Sequence, residues 1–141
     1  MEDKSKHFLG NVAQKAIIEK DGKVLVCRGI GDKVWEFPGV RLHAGEAPVE
    51  GIVREIREEL GIEIKKVQPF RVEPSFHYKS NMHQVFIAYT CTCDNTQIKA
   101  DAAEVEEMKW VSKEELQTLP MFDDCQSVKV ALLQGGTNDL T

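Results

Sequence analysis

Apolar residues fall in short runs over most of the chain, and in one stretch they repeat at helical spacing instead. Asn11 to Glu19 and Lys23 to Cys27 are apolar-rich runs around Lys20-Asp21-Gly22, whose Asp-Gly chemistry predicts a β-hairpin. Val34-Trp35-Glu36-Phe37 alternates and is closed by Pro38-Gly39, predicting a further short strand after the Gly29 to Lys33 loop. Val67 to Val72, Met82 to Cys93 and Met108 to Val111 read as three more strands, the second rich in β-branched and aromatic residues.

The helical spacing lies between Pro48, suited to a first helical position, and Gly61, suited to a C-terminal stop. Val49, Ile52, Val53, Ile56 and Leu60 recur at offsets of three and four and form one apolar stripe. Ser112 followed by Glu115 is a capping-box signature for a short helix ending near Pro120. Asp123 or Asp124 is expected to cap a last helix stopped by Gly135-Gly136. Strands recurring between separate helices predict a mixed sheet covered on both faces, α/β or α+β.

The 141 residues suit a single domain, with no repeat, low-complexity tract or linker to divide them, so residues 1–141 are taken as one unit. A hydrophobic content of 42% with 29% charged residues is that of a packed globular chain. The net charge of −5 lacks the excess of Lys and Arg that gripping duplex nucleic acid requires, and it suits carboxylates gathered around a divalent cation. No apolar run reaches membrane-spanning length and the N-terminus has no secretory apolar core, so a cytoplasmic location is expected. Cys27, Cys91, Cys93 and Cys125 match no zinc or redox spacing and are expected to be reduced, packed thiols. His43, His77 and His83 likewise show no ligand spacing.

The charged face of the Pro48 to Leu60 helix carries the candidate chemistry. At about 100° per residue, Glu55, Glu58 and Glu59 fall within one arc beside the apolar stripe. Like charges so placed repel unless something compensates, and both a divalent cation and the neighbouring Arg54 and Arg57 can do so.

The segment VRLHAGEAPVEGIVREIREELGI, Val40 to Ile62, resembles the Nudix box, G-x5-E-x7-R-E-U-x-E-E-x-G-U with U a bulky aliphatic. Glu46, Arg54, Glu55, Ile56, Glu58, Glu59, Gly61 and Ile62 fall in place, and Val40 stands where the pattern has its first glycine. The lead-in Trp35-Glu36-Phe37-Pro38-Gly39 is similar to that of MutT-like members.

This resemblance implies a Nudix-type α/β/α sandwich and metal-assisted cleavage of a diphosphate linkage. Glu55, Glu58 and Glu59, with Gly39, would hold Mg²⁺ or Mn²⁺, since hard cations take oxygen ligands. Glu46 and Arg54 would support the loop and orient the glutamates, and Glu104 or Glu107 is an outside candidate for the general base. Arg28, Trp35, Phe37 and Tyr78 are the expected substrate contacts, with Phe76 and Phe86 as further aromatic candidates for stacking. Val40 puts the conformation of the box loop in question, because a β-branched residue tolerates positive φ poorly.

The expected substrate is a small nucleotide, most simply a nucleoside triphosphate, acted on by a monomer or homodimer. Dinucleoside polyphosphates and nucleotide sugars are alternatives within the class, and a nucleotide-sensing module without catalysis is the alternative outside it.

Overall fold

The structure, a computed structural model, describes residues 3–94, 97–100 and 103–135. Five strands form one mixed sheet: β1 (Gly10–Lys20), β2 (Lys23–Gly29), β3 (Ile64–His77), β4 (Met82–Cys93) and β5 (Val105–Ser112). Their spatial order is β3-β4-β1-β2-β5. β1 and β4 run parallel along Gly10↔His83 to Glu19↔Thr92, and the remaining neighbours are antiparallel.

Period-two alternation sorts the apolar residues onto two faces. Ala13 and Ile17 of β1, Val24 and Val26 of β2, and Phe86 and Ala88 of β4 form one core. It is covered by α2 (Lys113–Thr118) and α3 (Asp123–Leu133) through Leu116, Cys125, Val128 and Leu132. Ala16, Ile18, Leu25, Tyr89 and Cys91 form the other, covered by Ile52, Ile56 and Leu60 of α1 (Pro48–Leu60). The sheet therefore lies between helices, as the recurrence of strands and helices predicts. Among the described residues no helix is long and apolar enough to cross a membrane.

The expected hairpin is present, with Asp21 and Gly22 both at positive φ, as its two-residue turn requires. Beyond that turn β1 and β2 pair only at Glu19↔Val24 and Lys20↔Lys23 and then splay apart. The chain after β2 fills the opening. Glu36 bonds Cys27 of β2 in both directions, while Pro38, Val40 and Leu42 bond Ala16, Gln14 and Val12 of β1. The sheet thus seats the box loop at its open end.

Several expected elements are corrected. Val34 to Phe37 is not a strand: it makes only isolated bridges, Cys27↔Glu36 and Trp35↔Met121, because it lies across the gap between β1 and β2. β3 is longer than Val67 to Val72 and carries Pro69 and Pro74, tolerated on an edge strand whose register shifts twice. Phe122, not an aspartate, is the N-cap of α3, without a side-chain bond, and Asp123 and Asp124 sit in the first turn. Of the expected stop, Gly135 follows the helix and Gly136 lies outside the described residues. Val49 of the α1 stripe is exposed, and Glu55 is buried in its stead. The Ser112–Glu115 capping box forms as expected. All four cysteines are free and buried, and burial pushes the Cys27, Cys91 and Cys125 thiols up to about 12.

Candidate functional site

The loop from Gly39 to Ala47 enters α1 through Pro48 and leaves it through Gly61, which takes the left-handed conformation of a C-cap. Gln14 fixes both ends of this approach. Its backbone N–H donates to the Val40 carbonyl at 3.1 Å, and its buried amide donates to Pro48 O at 3.0 Å and Tyr89 Oη at 2.6 Å.

Gly39 carries the demanding backbone conformation, φ 137°, and a Cβ there would meet Gln14 O at 2.1 Å. Val40 is not at positive φ. Its N–H donates to Glu55 Oε2 at 2.9 Å, and its side chain is 40% exposed. The strain expected of a valine at this position does not arise, since the residue before it carries the required conformation.

Arg54 gathers three carboxylates. It donates through Nε and one Nη to Glu46, the second bond at 3.0 Å, and to Glu58 at 2.9 Å and Glu55 at 3.4 Å. The fork holds Glu46 bidentately. Glu46 also accepts the His43 N–H at 3.2 Å, which ties the loop to the helix. The Arg54 hydrogen bonds hold the Glu46 carboxyl down to about 2. Glu55, 2% exposed, is raised by burial despite the Val40 N–H.

Glu59 stands apart from that fork. Burial pushes its carboxyl up to about 7, with Lys15 opposing the shift and Glu104 and Glu55 adding to it. Two adjacent turns of α1 therefore present desolvated carboxylates with less counter-charge than they need. Lys15 of β1 donates to Gly39 O at 2.6 Å and Glu36 Oε1 at 3.0 Å. Burial works against its charge, yet Glu36 leads the contributions that hold the amine above its ordinary value.

A cleft of ≈ 820 Å³ opens beside the loop, on the side of the sheet that carries α3. Its lining includes Gly39, Val40, Lys15 and Glu36 together with Phe76, Tyr78, Phe122, Asp123, Asp124 and Gln84. Gln84 is buried on β4, its Nε2 reaches Ser75 Oγ at 3.3 Å, and its Oε1 has no partner. Phe76 meets Tyr78 edge-on with ring centroids 5.0 Å apart. The volume and the mixed aromatic and polar lining are those of a small-molecule site.

The NUDIX domain family model matches residues 11–130. The chain belongs to the Nudix family. A nucleoside triphosphatase NudI of Enterobacter sp. (strain 638) is 29% identical over 119 residues, covering 74% of this chain and 84% of that protein. A NudI of Escherichia coli O139:H28 is 26% identical, covering 71% and 80%. Among solved structures, a MutT Nudix hydrolase from Burkholderia pseudomallei superposes with a TM-score of 0.75 at 21% identity, covering 85% of this chain and 95% of that one. The E. coli ORF135 protein superposes with a TM-score of 0.70 at 28% identity, covering 86% and 89%.

Arg54 brings Glu46, Glu55 and Glu58 together by direct contact, and Glu59, outside that fork, feels the charges of Lys15 and Glu104. No group of three or more His, Cys, Asp or Glu side chains is gathered as a ready metal cage among the described residues. Arg54 binds carboxylate oxygens of three glutamates, and Lys15 the Gly39 carbonyl. The donor set is nonetheless all oxygen and under-compensated, which fits a hard divalent cation.

The expected substrate contacts divide. Tyr78, 82% exposed at the tip of the β3–β4 hairpin, lines the cleft. Phe37 is fully buried in the core, as is Phe86, so neither offers a stacking surface in this structure. Trp35 is also buried, its ring covered by Arg28 at 5.6 Å and Lys109 at 4.6 Å. Arg28 does not line the cleft; it pairs with Glu106 at 2.6 Å and Glu107 at 3.1 Å across the β2–β5 ladder. That pairing engages Glu107 and leaves Glu104 as the outside acid felt by Glu59. The sequence reasoning missed Lys15, Gln84 and the cleft-facing placement of Asp123 and Asp124. A lysine inside an apolar strand was the one available signal.

Proposed function

We propose that this Nudix pyrophosphohydrolase cleaves a nucleoside triphosphate within its phosphate chain, with Mg²⁺ or Mn²⁺ held by Glu55, Glu58 and Glu59. The observation that carries the reading is the Val40 N–H to Glu55 bond at 2.9 Å, which joins the carboxylate face of α1 to the lining of a nucleotide-sized cleft. A phosphate chain lying along Gly39 and Val40 would bring its scissile linkage against α1. Its base would meet the aromatic and polar lining, where Tyr78 and Phe76 offer ring surface and Gln84 and Asp124 offer acceptors.

A divalent cation supplies, when bound, charge for the diphosphate oxygens and acidity for the attacking water. The chain's own residues do the remainder. Arg54 keeps Glu46, Glu55 and Glu58 in register, and Val40 fixes the Glu55 carboxylate. Glu104, whose charge Glu59 feels, is the carboxylate outside the metal-holding set that is available as the general base. The nucleoside triphosphatase named among the relatives supports a triphosphate as the first substrate to test.

A panel of ribo- and deoxynucleoside triphosphates, dinucleoside polyphosphates and nucleotide sugars, assayed with Mg²⁺ or Mn²⁺ for phosphate and pyrophosphate release, tests the proposal. We expect triphosphates to turn over fastest, and Glu58→Gln to lower kcat by roughly 10²–10⁴-fold. Nucleotide binding without turnover of any panel member would overturn it in favour of a sensor.

A further inference from the structure

Lys15 occupies a position that strand alternation assigns to the apolar face of β1, between Ala13 and Ile17. An aliphatic side chain would suit that face. A buried ammonium is costly there unless its donors are taken by acceptors. Only 14% of the side chain is exposed, and Nζ reaches Glu36 Oε1 at 3.0 Å and Gly39 O at 2.6 Å. The second acceptor is the notable one. The Gly39 carbonyl belongs to the box loop, beside the Val40 N–H that grips Glu55, and Gly39 is held on both sides, by the Ala16 N–H donating to Pro38 O at 2.8 Å and the Gln14 N–H donating to Val40 O at 3.1 Å. The oxygen therefore cannot turn away from Lys15 without rebuilding the loop.

We propose that Lys15 is a built-in cation that keeps a divalent ion off the Gly39 carbonyl, so that the metal of this chain is held by the α1 carboxylates without that backbone oxygen. The inference rests on the reading of Glu55, Glu58 and Glu59 as metal ligands. A divalent ion on the same carbonyl, at about 2.0–2.6 Å, would lie within roughly 5 Å of Nζ. Even with the dielectric of bulk water, a single and a double charge at that separation repel by about tenfold in binding constant. Glu36 offsets part of that repulsion and also anchors the amine where it is. Lys15 thus places one permanent positive charge where the phosphate chain meets the loop, and does so without a second metal ion.

The test is Mn²⁺ binding to the full chain without nucleotide, read as loss of the free Mn²⁺ resonance. Wild type, Lys15→Arg, Lys15→Met and Arg41→Met are compared, Arg41 being another cation of the same cleft. Lys15→Met should bind Mn²⁺ about tenfold tighter than wild type, while Lys15→Arg and Arg41→Met stay close to wild type. Should Lys15→Met fail to fold because it strands the Glu36 carboxylate, the same substitution in a Glu36→Gln background carries the comparison, with Glu36→Gln as reference. Superimposable isotherms for the lysine and methionine forms would overturn the inference, as would equal tightening by Arg41→Met. Absence of Mn²⁺ binding in every protein, wild type included, would overturn the underlying metal reading and this inference with it.

Discussion

The Val40 N–H donates to Glu55 Oε2 at 2.9 Å, so the box position that departs from the family pattern contributes through its backbone, which any residue but proline supplies. The departure and the buried carboxylate are parts of one contact. Gly39, immediately before, bears the conformational demand.

Two substitutions separate those roles. Val40→Gly keeps the N–H and should leave kcat/KM within about threefold, while lowering stability by about 0.4–1 kcal/mol through the added freedom of the unfolded chain. Gly39→Ala forces a Cβ toward Gln14 O at a position with φ 137°, and should cost about 1–3 kcal/mol. Thermal melts and steady-state kinetics on both variants check the pair; an inactive Val40→Gly would mean that the valine side chain itself is needed.

Two aromatic residues expected at the substrate should respond in opposite ways. Phe37→Ala empties a fully buried position and should cost about 3–5 kcal/mol of stability. Tyr78→Ala removes an exposed ring at the cleft, and should leave the melting temperature unchanged while raising KM roughly fivefold or more. A KM unaffected by Tyr78→Ala would remove that ring from the substrate site.

Glu59 predicts a pH dependence of the metal-free protein. Its folded carboxyl lies at about 7, above its ordinary 4.5, through burial first and its acidic neighbours second. Protonated Glu59 therefore contributes stability that is whole below 4.5 and is lost as pH rises through about 7. In EDTA, wild type should melt progressively lower than Glu59→Gln between about pH 5 and 8. Saturating Mn²⁺ should reverse the trend and release protons on binding. Parallel melting curves for the two proteins across that range would place Glu59 in solvent.

Glu46 predicts the opposite sign at the acid end. Its folded value of about 2 lies below 4.5, so the stability it gains from Arg54 is present above 4.5 and is lost as pH falls toward 2. The difference in melting temperature between wild type and Glu46→Gln should be constant above about pH 5 and vanish toward pH 2. A pH-independent difference would show that the loop, rather than the ion pair, is what the substitution disturbs.

Local signals settled much of this protein. The Asp21-Gly22 hairpin, the Pro48 and Gly61 bounds of α1 and the Ser112–Glu115 capping box depend on contacts between residues a few positions apart, and each is present in the structure. The spacing of Glu55, Glu58 and Glu59 is likewise fixed by helix geometry. Sequence could not say that β1 and β2 separate after one turn of pairing, because that separation depends on the chain segment that enters the gap from a distance. From that one long-range event follow the loss of the Val34 to Phe37 strand, the burial of Phe37, the meeting of Lys15 with Gly39 and the grip of Val40 on Glu55. Sequence by itself determined which carboxylates share a helix face, since helical periodicity is local. Only tertiary structure decided which of them are desolvated and what faces them, since burial and charge pairing depend on residues distant along the chain.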